Sequence, residues 1–323
     1  MKYNANSINQ HKIGTVSTEL SPSITHAMTE YADNNHTVSY RDGINFDRIF
    51  RELCMYDKVI FNAAGGNYEH LIRKLARIGK EIFTIYHTSF CGFTFDHLCD
   101  VNERSDLQLM LDFNRQRIVK KIGFVNPGSA HFYARLGYDT QWVPNIPAKP
   151  MSLKNNSINR PDIGVFSEMN AMKNTTTAVA IALAYSGETV VHTIEKPFIY
   201  PGLSSDRVEI HGWQRLPQLL ELMAKMDVNL MLSFTESYGL LVTQSWAAGT
   251  PCIVSPAYRP LLLGDDLLHE YCYVERVDDA DTILRKIRAC ITARDKITQR
   301  CQQTLNKLRT IGKRMRKVFL DID

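Results

Sequence analysis

Ser233-Phe-Thr-Glu-Ser-Tyr-Gly-Leu-Leu-Val-Thr-Gln-Ser-Trp-Ala-Ala-Gly-Thr-Pro-Cys-Ile-Val-Ser255 decides how this 323-residue chain is read. An apolar run over 228–233 predicts a buried strand that leads into it. A turn follows, then helical spacing over 240–248, a tight Gly-Thr-Pro turn and a second apolar strand over 251–255. Strand, helix and strand at this spacing make one unit of a parallel sheet. Glu236 stands at the mouth of the first strand, where a carboxylate can accept hydrogen bonds from ligand hydroxyls. Gly239 and Leu240 open the helix, so their free backbone N–H groups face the same mouth and favour an anion such as phosphate. A carboxylate for hydroxyls beside a helix start for phosphate is what a sugar-phosphate donor requires.

The same alternation extends in both directions. Towards the N-terminus the pattern predicts strands over 13–17, 36–40, 58–62, 81–86, 121–125 and 140–143, with helices over 24–31, 46–53 and 68–78. Residues 144–161 hold four prolines, four asparagines and few apolar residues, which marks a linker. A second series follows: strands over 163–166, 189–193, 208–211 and 228–233, helices over 175–185 and 216–224, then the run quoted above. The expected architecture is α/β, two consecutive Rossmann-like domains: 1–150, and 151–323 with a basic terminal helix. Ligands of such sheets bind at the C-terminal ends of the strands. Neither half carries GxGxxG after its first strand and no GxxxxGK[ST] occurs, which weighs against a dinucleotide oxidoreductase and a P-loop NTPase.

Composition narrows the class further. With 44% hydrophobic and 22% charged residues, the chain is too apolar for disorder. No apolar run approaches the roughly 18 residues of a membrane span, and the first residues contain no signal-peptide core. Seven cysteines, odd in number and without a CxxC pair, suit free thiols in a reducing cytoplasm. The net charge of +4 is unevenly placed: residues 285–317 hold twelve Lys or Arg and one acid, a local +11, which leaves −7 for the rest. In that tail Ile297, Cys301, Leu305, Leu308, Ile311, Met315 and Val318 step by three and four, which predicts an amphipathic helix loosened at Gly312.

The quoted run resembles the signature of family-4, or group 1, glycosyltransferases of the GT-B fold. Ser233, Glu236, Gly239, Leu240, Ala247, Gly249, Pro251 and Ile253 match its pattern in order. That resemblance implies two Rossmann-like domains facing a cleft, with the final amphipathic helix crossing back to the first domain. It assigns Glu236 to the transferred sugar, and Ser233, Tyr238, Gly239 and Leu240 to the donor. The family's second glutamate, which takes the nucleotide ribose, falls on Gln244, a neutral group with weaker hydrogen bonds. Residues 163–174 look like the family's first C-terminal strand and its diphosphate loop. Lys173 falls on the loop's lysine, while its arginine is replaced by Glu168, with Arg215 and Arg259 as substitutes from nearby loops. Residues 210–220 look like the loop that holds the nucleobase, which puts Gly212 and Trp213 at the base; Trp213 reads equally as a core residue. Residues 83–88 look like the strand ending in a histidine near the reacting sugar, so His87 is either catalytic or a structural histidine. Ser17 and Thr18 stand where relatives place a Gly-Gly pair, and Gly65-Gly66 follows the third strand instead.

Two metal signals are weighed and set aside. Asp279-Ala280-Asp281 is a DxD, but it precedes a helical pattern and reads as a cap; His87, Cys91, His97 and Cys99 match no common zinc spacing. The resemblance then implies a retaining transfer from a nucleotide diphosphosugar to an acceptor hydroxyl, with His87 and Glu236 catalytic and no cofactor or metal. The acceptor expected is a glycan or glycolipid. The basic helix leaves two further readings open: peripheral contact with an anionic membrane surface, or DNA, as in enzymes that glycosylate hydroxymethylated bases of viral DNA, for which residues 115–121 would form a further basic helix. A degenerate nucleotide-sugar-binding homologue is the remaining alternative.

Overall fold

A computed structural model describes residues 12–18, 34–38, 46–62, 68–87, 101–151 and 160–322. The expected helix over 24–31, the Gly65-Gly66 pair, Cys91, His97 and Cys99 lie outside them, as do the Ser17 and Thr18 side chains. The chain divides into two compact units. One comprises Met1–Pro144 with Arg314–Asp323, the other Asn145–Lys313. The sequence reading set its boundary six residues later and kept the terminus with the second domain.

The first unit is built on a parallel sheet of six described strands: β1 (Ile13–Thr18), β2 (Asn34–Val38), β3 (Lys58–Asn62), β4 (Glu81–Tyr86), β5 (Lys121–Phe124) and β6 (Thr140–Trp142). Their order is β2-β1-β3-β4-β5-β6, with Asn62 beside Ile85 and Tyr86 beside Phe124 at the C-terminal ends. The helices α1 (Phe46–Leu53), α2 (Glu69–Arg77), α3 (Val101–Arg115) and α4 (Pro127–Arg135) connect them. Strands β3 and β4 are apolar runs because both faces are covered: Val59, Phe61 and Ile82 pack with Leu71, Leu75 and Leu111 in one core. Helix α4 begins where Asn126 accepts from the Ser129 amide at 3.1 Å and Pro127 follows. Residues 115–121 do not form the basic helix expected of them. Arg115 closes α3, Arg117 turns the chain at φ +58°, and Lys121 begins β5.

The second unit holds five parallel strands: β7 (Asp162–Val165), β8 (Val190–Thr193), β9 (Val208–Ile210), β10 (Val228–Met231) and β11 (Cys252–Val254). They lie in the order β11-β10-β7-β8-β9. Helices α5 (Thr175–Ala184), α6 (Leu216–Ala224), α7 (Leu240–Ala247), α8 (Asp266–Cys272) and α9 (Ala280–Thr292) complete the unit, whose core includes Ile163, Leu230, Trp246 and Ile253. Asp279 caps α9 by accepting from the Thr282 amide (3.0 Å) and hydroxyl (2.7 Å), the capping expected of this segment.

The terminal helix α10 (Arg294–Phe319) is continuous. Gly312 does not loosen it: a Cβ there would lie 2.7 Å from Ile146 Cγ1, so the glycine lets two segments pack closely. Ile297, Cys301, Leu305 and Leu308 are buried as expected, but the stripe then steps through Gly312, Arg316 and Phe319, leaving Val318 exposed. Seven residues at 3.6 per turn drift away from a strict three–four repeat, and the buried face follows the drift. Phe319 packs edge-on against Phe83, with ring centroids 5.3 Å apart. The tail's charge is partly internal: Arg294 pairs with Asp227 at 2.9 Å, Arg300 with Asp265, and the buried Arg309 donates to the Pro147 carbonyl. No described helix is long and apolar enough to cross a membrane.

Candidate functional site

The C-terminal ends of β7, β10 and β11 bring three loops together. After β7, the Asn170 side chain accepts from the Lys173 amide at 2.9 Å and starts a single 3₁₀ turn, Ala171–Lys173. That turn is tied to the loop after β10. The Phe234 amide donates to the Met172 carbonyl at 2.8 Å, and Asn174 Nδ2 donates to the Leu232 carbonyl at 3.3 Å. Lys173 is thereby aimed at Glu236, with Nζ 2.6 Å from Oε2. Glu236 Oε1 accepts from the Ser237 amide at 3.0 Å, which fixes the other half of the carboxylate.

Tyr258, in the 3₁₀ segment Pro256–Leu262 after β11, supplies the third group. Its OH donates to Glu236 Oε2 at 3.1 Å and lies 2.8 Å from Ser233 Oγ. A phenol has one proton and an ionised carboxylate only accepts, so Ser233 is the donor to Tyr258. Burial, and then the neighbouring Glu236 charge, push the Tyr258 phenol well above its ordinary pKa, so it stays a neutral donor. The chain of bonds runs from Ser233 through Tyr258 and Glu236 to Lys173. Lys173, Ser233 and Glu236 were legible in sequence; Tyr258 was not, although its neighbour Arg259 was weighed.

Gly239 starts α7 with φ +94° and ψ 50°. A Cβ at this position would stand 2.6 Å from Tyr258 Cδ1, so only glycine combines this turn with this ring. Val242 and Thr243 both donate to the Gly239 carbonyl, so the amides before them are the free donors of the helix start. Tyr238 is buried beside this turn. Gln244 sits in the second turn of α7, 4% exposed, and its Oε1 is buried without a partner among the described residues. The substitutes proposed for the missing arginine, Arg215 and Arg259, are both exposed, and Glu168 points to solvent with Oε2 accepting from Asn170 at 3.0 Å.

Gly212 and Trp213 follow β9. Gly212 turns with φ +68°, and Trp213 is 66% exposed, which removes the core reading. Its Nε1 donates to Glu195 Oε1 at 3.1 Å, while Glu195 Oε2 accepts from the Met169 amide at 2.8 Å. Glu195 therefore joins the loops after β7, β8 and β9, a role with no sequence signal of its own.

His87 stands in the first unit, directly after β4. Its residue surface is partly exposed, but both ring nitrogens are sealed from solvent and have no hydrogen-bond partner among the described residues. Burial, followed by the nearby Arg316 charge, holds its pKa down to about 3. The ring is neutral at ordinary pH.

Residues 169–293 match the family described as Glycosyl transferases group 1, and this stretch contains Lys173, Gly212, Trp213, Ser233, Glu236, Tyr238, Gly239, Leu240 and Gln244. The chain superposes on HepE of Anabaena, solved in complex with UDP and glucose, with a TM-score of 0.69 at 12% identity, covering 97% of this chain and 100% of that one. It also superposes on the sucrose-phosphate synthase of Thermosynechococcus elongatus, with a TM-score of 0.65, 14% identity, and 97% and 100% of the two chains covered. For the lipopolysaccharide outer core galactosyltransferase WaaB the corresponding values are 0.59, 13%, 96% and 99%. No curated protein matches by sequence. The fold is GT-B, and residues 169–293 fit a group 1 glycosyltransferase domain.

Proposed function

We propose that this protein is a retaining glycosyltransferase that moves a sugar from a nucleotide diphosphosugar to a hydroxyl of a glycan or glycolipid. The observation that carries this reading is the Lys173–Glu236–Tyr258 constellation at the start of α7. One cation, one carboxylate and a helix start in one cluster of loops support a diphosphosugar as the ligand. Lys173 and the Gly239–Leu240 amides take the charge of the leaving diphosphate, as preorganised donors do where negative charge develops. No metal is required for that neutralisation. Glu236 orients the sugar through its hydroxyls, and its hold on Lys173 and Tyr258 fixes its direction before the donor arrives.

Trp213 covers the base from the Gly212 turn, and the unpaired Gln244 Oε1 supports a ribose contact, since a buried acceptor without a partner is uncommon outside functional sites. Ser233 and Tyr238 line the donor side. His87, held neutral, is the hydrogen-bonding group of the first unit offered to the acceptor hydroxyl. HepE, solved with UDP and glucose, and WaaB, a galactosyltransferase of lipopolysaccharide outer core, support a nucleotide sugar as donor and a glycan or glycolipid as acceptor. The free thiols suit action in the cytoplasm, with the exposed basic residues of α10 available to an anionic membrane surface.

The test is a panel of UDP-, GDP- and ADP-sugars. A ligand bound only by the folded state raises the unfolding midpoint, so one nucleotide series should stabilise the protein. The same series should release nucleotide diphosphate when an acceptor is present, with the product keeping the donor's anomeric configuration by NMR. Absence of stabilisation by every nucleotide sugar overturns the proposal; stabilisation without turnover leaves only the binding homologue.

A further inference from the structure

A second cluster of side chains in the donor unit takes no part in the site above. His192 is the third residue of β8, Glu209 lies opposite it on the edge strand β9, and His211 follows that strand. One ligand atom from each of the three lies within 4.8 Å of the others. His192 is buried, His211 half-buried, and the Glu209 side chain is 49% exposed.

The hydrogen bonds fix the protons. His192 Nε2 is 3.0 Å from Asp162 Oδ1, and an ionised carboxylate only accepts, so Nε2 carries the proton of a neutral His192 ring. His192 Nδ1 is then a bare lone pair, and His211 Nε2, 2.9 Å away, donates to it. Glu209 Oε2 faces the same Nδ1 at 3.6 Å. The His192 lone pair is thus shared by the His211 N–H and lies beside Glu209 Oε2, while Glu209 Oε1 is 3.4 Å from Arg160 Nη2. A cation that takes the place of the shared proton would meet two imidazole nitrogens and one carboxylate oxygen at once.

We propose that His192, His211 and Glu209 form a binding site for one divalent transition-metal ion of the zinc class, with water as the fourth ligand. Two imidazoles and a carboxylate are a common zinc donor set, and tetrahedral ligands at about 2.0–2.1 Å from the ion stand about 3.3 Å apart. The two histidine nitrogens, at 2.9 Å, need only a small separation to reach that spacing. Asp162 behind His192 is the outer carboxylate that orients a metal-bound imidazole and fixes its tautomer. On binding, His211 keeps one proton by shifting it from Nε2 to Nδ1, which frees the Nε2 lone pair as a ligand. The ion has no part in the transfer chemistry. It fastens the end of β8 to the turn His211-Gly212-Trp213, whose first carbonyl also accepts from Gln214 Nε2 at 2.6 Å.

The test uses the full chain, free of any histidine tag and stripped with EDTA, titrated with Co²⁺ and followed by visible absorption, with Zn²⁺ as competitor. One equivalent of Co²⁺ should bind, with the ligand-field bands of a four-coordinate nitrogen–oxygen site and no thiolate charge-transfer band. Zn²⁺ should displace it. Glu209→Gln and His211→Ala, both on accessible side chains, should each raise the Co²⁺ dissociation constant about tenfold or more. Their unfolding midpoints in EDTA should stay near that of the parent, which separates lost ligation from lost fold. No saturable uptake, uptake unaffected by either substitution, or a thiolate band that places the ion on the buried cysteines would overturn the proposal.

Discussion

Lys173 Nζ lies 2.6 Å from Glu236 Oε2, so the cation assigned to the donor phosphate is held by the carboxylate assigned to the sugar. The pair is largely shielded, with 21% and 13% of the two side chains exposed. A diphosphate that takes Lys173 competes with Glu236 for the same charge. Glu236→Gln removes that competitor and should tighten binding of the bare nucleoside diphosphate, measured by calorimetry, while abolishing most transfer. Glu236→Ala and Lys173→Ala should each lower kcat/KM by about 10²–10³. Their effects should combine to less than the sum, because each single change already disables the shared pair. Additive losses in the double variant would show that the two groups act on the donor independently.

The neighbouring turn makes a prediction about stability. Gly239→Ala forces an L-residue to φ +94° and drives a Cβ to 2.6 Å from the Tyr258 ring. The backbone alone costs about 1–2 kcal/mol, and displacement of a packed ring adds to it. Urea unfolding should therefore show a loss of about 2–3 kcal/mol, set by strain and overpacking together. Tyr258→Phe keeps the ring and removes only the hydroxyl, which donates to Glu236 and accepts from Ser233, and should lower stability by about 1–2 kcal/mol. If Gly239→Ala were as mild as Tyr258→Phe, the close approach of turn and ring would be wrong.

The strands were legible because buried parallel strands are continuous apolar runs: 58–62 and 81–86 coincide with β3 and β4, and 228–233 contains β10. Helix α3 was missed because its apolar residues are mixed with charges in Val101-Asn-Glu-Arg-Ser-Asp106, which blurs the helical period. Helix α4 did have a signal, the cap Asn126 before Pro127. In the site, Lys173, Glu236 and Gly239 fall in contiguous runs and could be read. Tyr258 and Glu195 act on partners 22 and 18 residues away in sequence, through loops that meet only once the sheet is formed. The same cause decided Trp213: it follows the edge strand β9, and nothing in its own segment says which side of it is solvent.

Trp213 offers an optical readout. Its indole is 66% exposed, so Trp213→Ala should change unfolding stability by less than about 0.5 kcal/mol. Stacking of a base on an aromatic ring contributes about 1–3 kcal/mol, so the same substitution should weaken nucleotide binding at least about tenfold. Of the other two tryptophans, Trp246 is fully buried and Trp142 is half-buried in the first unit with its Nε1 donating to the Val125 carbonyl, so quenching of fluorescence by the nucleotide should come chiefly from Trp213 and be largely lost in the variant. Quenching that persists in Trp213→Ala would move the base elsewhere.

His87 predicts a pH dependence. Its folded pKa of about 3 lies below the ordinary value of 6.5, with burial the main cause and Arg316 the second. Below pH 6.5 the unfolded chain therefore takes up a proton that the folded chain refuses. The stability tied to the neutral ring is fully present above pH 6.5 and is lost progressively as pH falls towards 3. Between pH 7 and pH 5 this one group should remove about 2 kcal/mol, at 1.36 kcal/mol per unit of pH below the unfolded value. Urea unfolding of the parent and of His87→Asn at those two pH values isolates it, since every other titrating group is common to both proteins. The parent should lose about 2 kcal/mol more than the variant on acidification. For transfer, the consequence is that a ring neutral throughout this range adds no inflection near 6.5 to the pH dependence of kcat. An equal loss of stability in both proteins would mean that the His87 ring titrates in the folded state as it does in water, and that its nitrogens are not sealed.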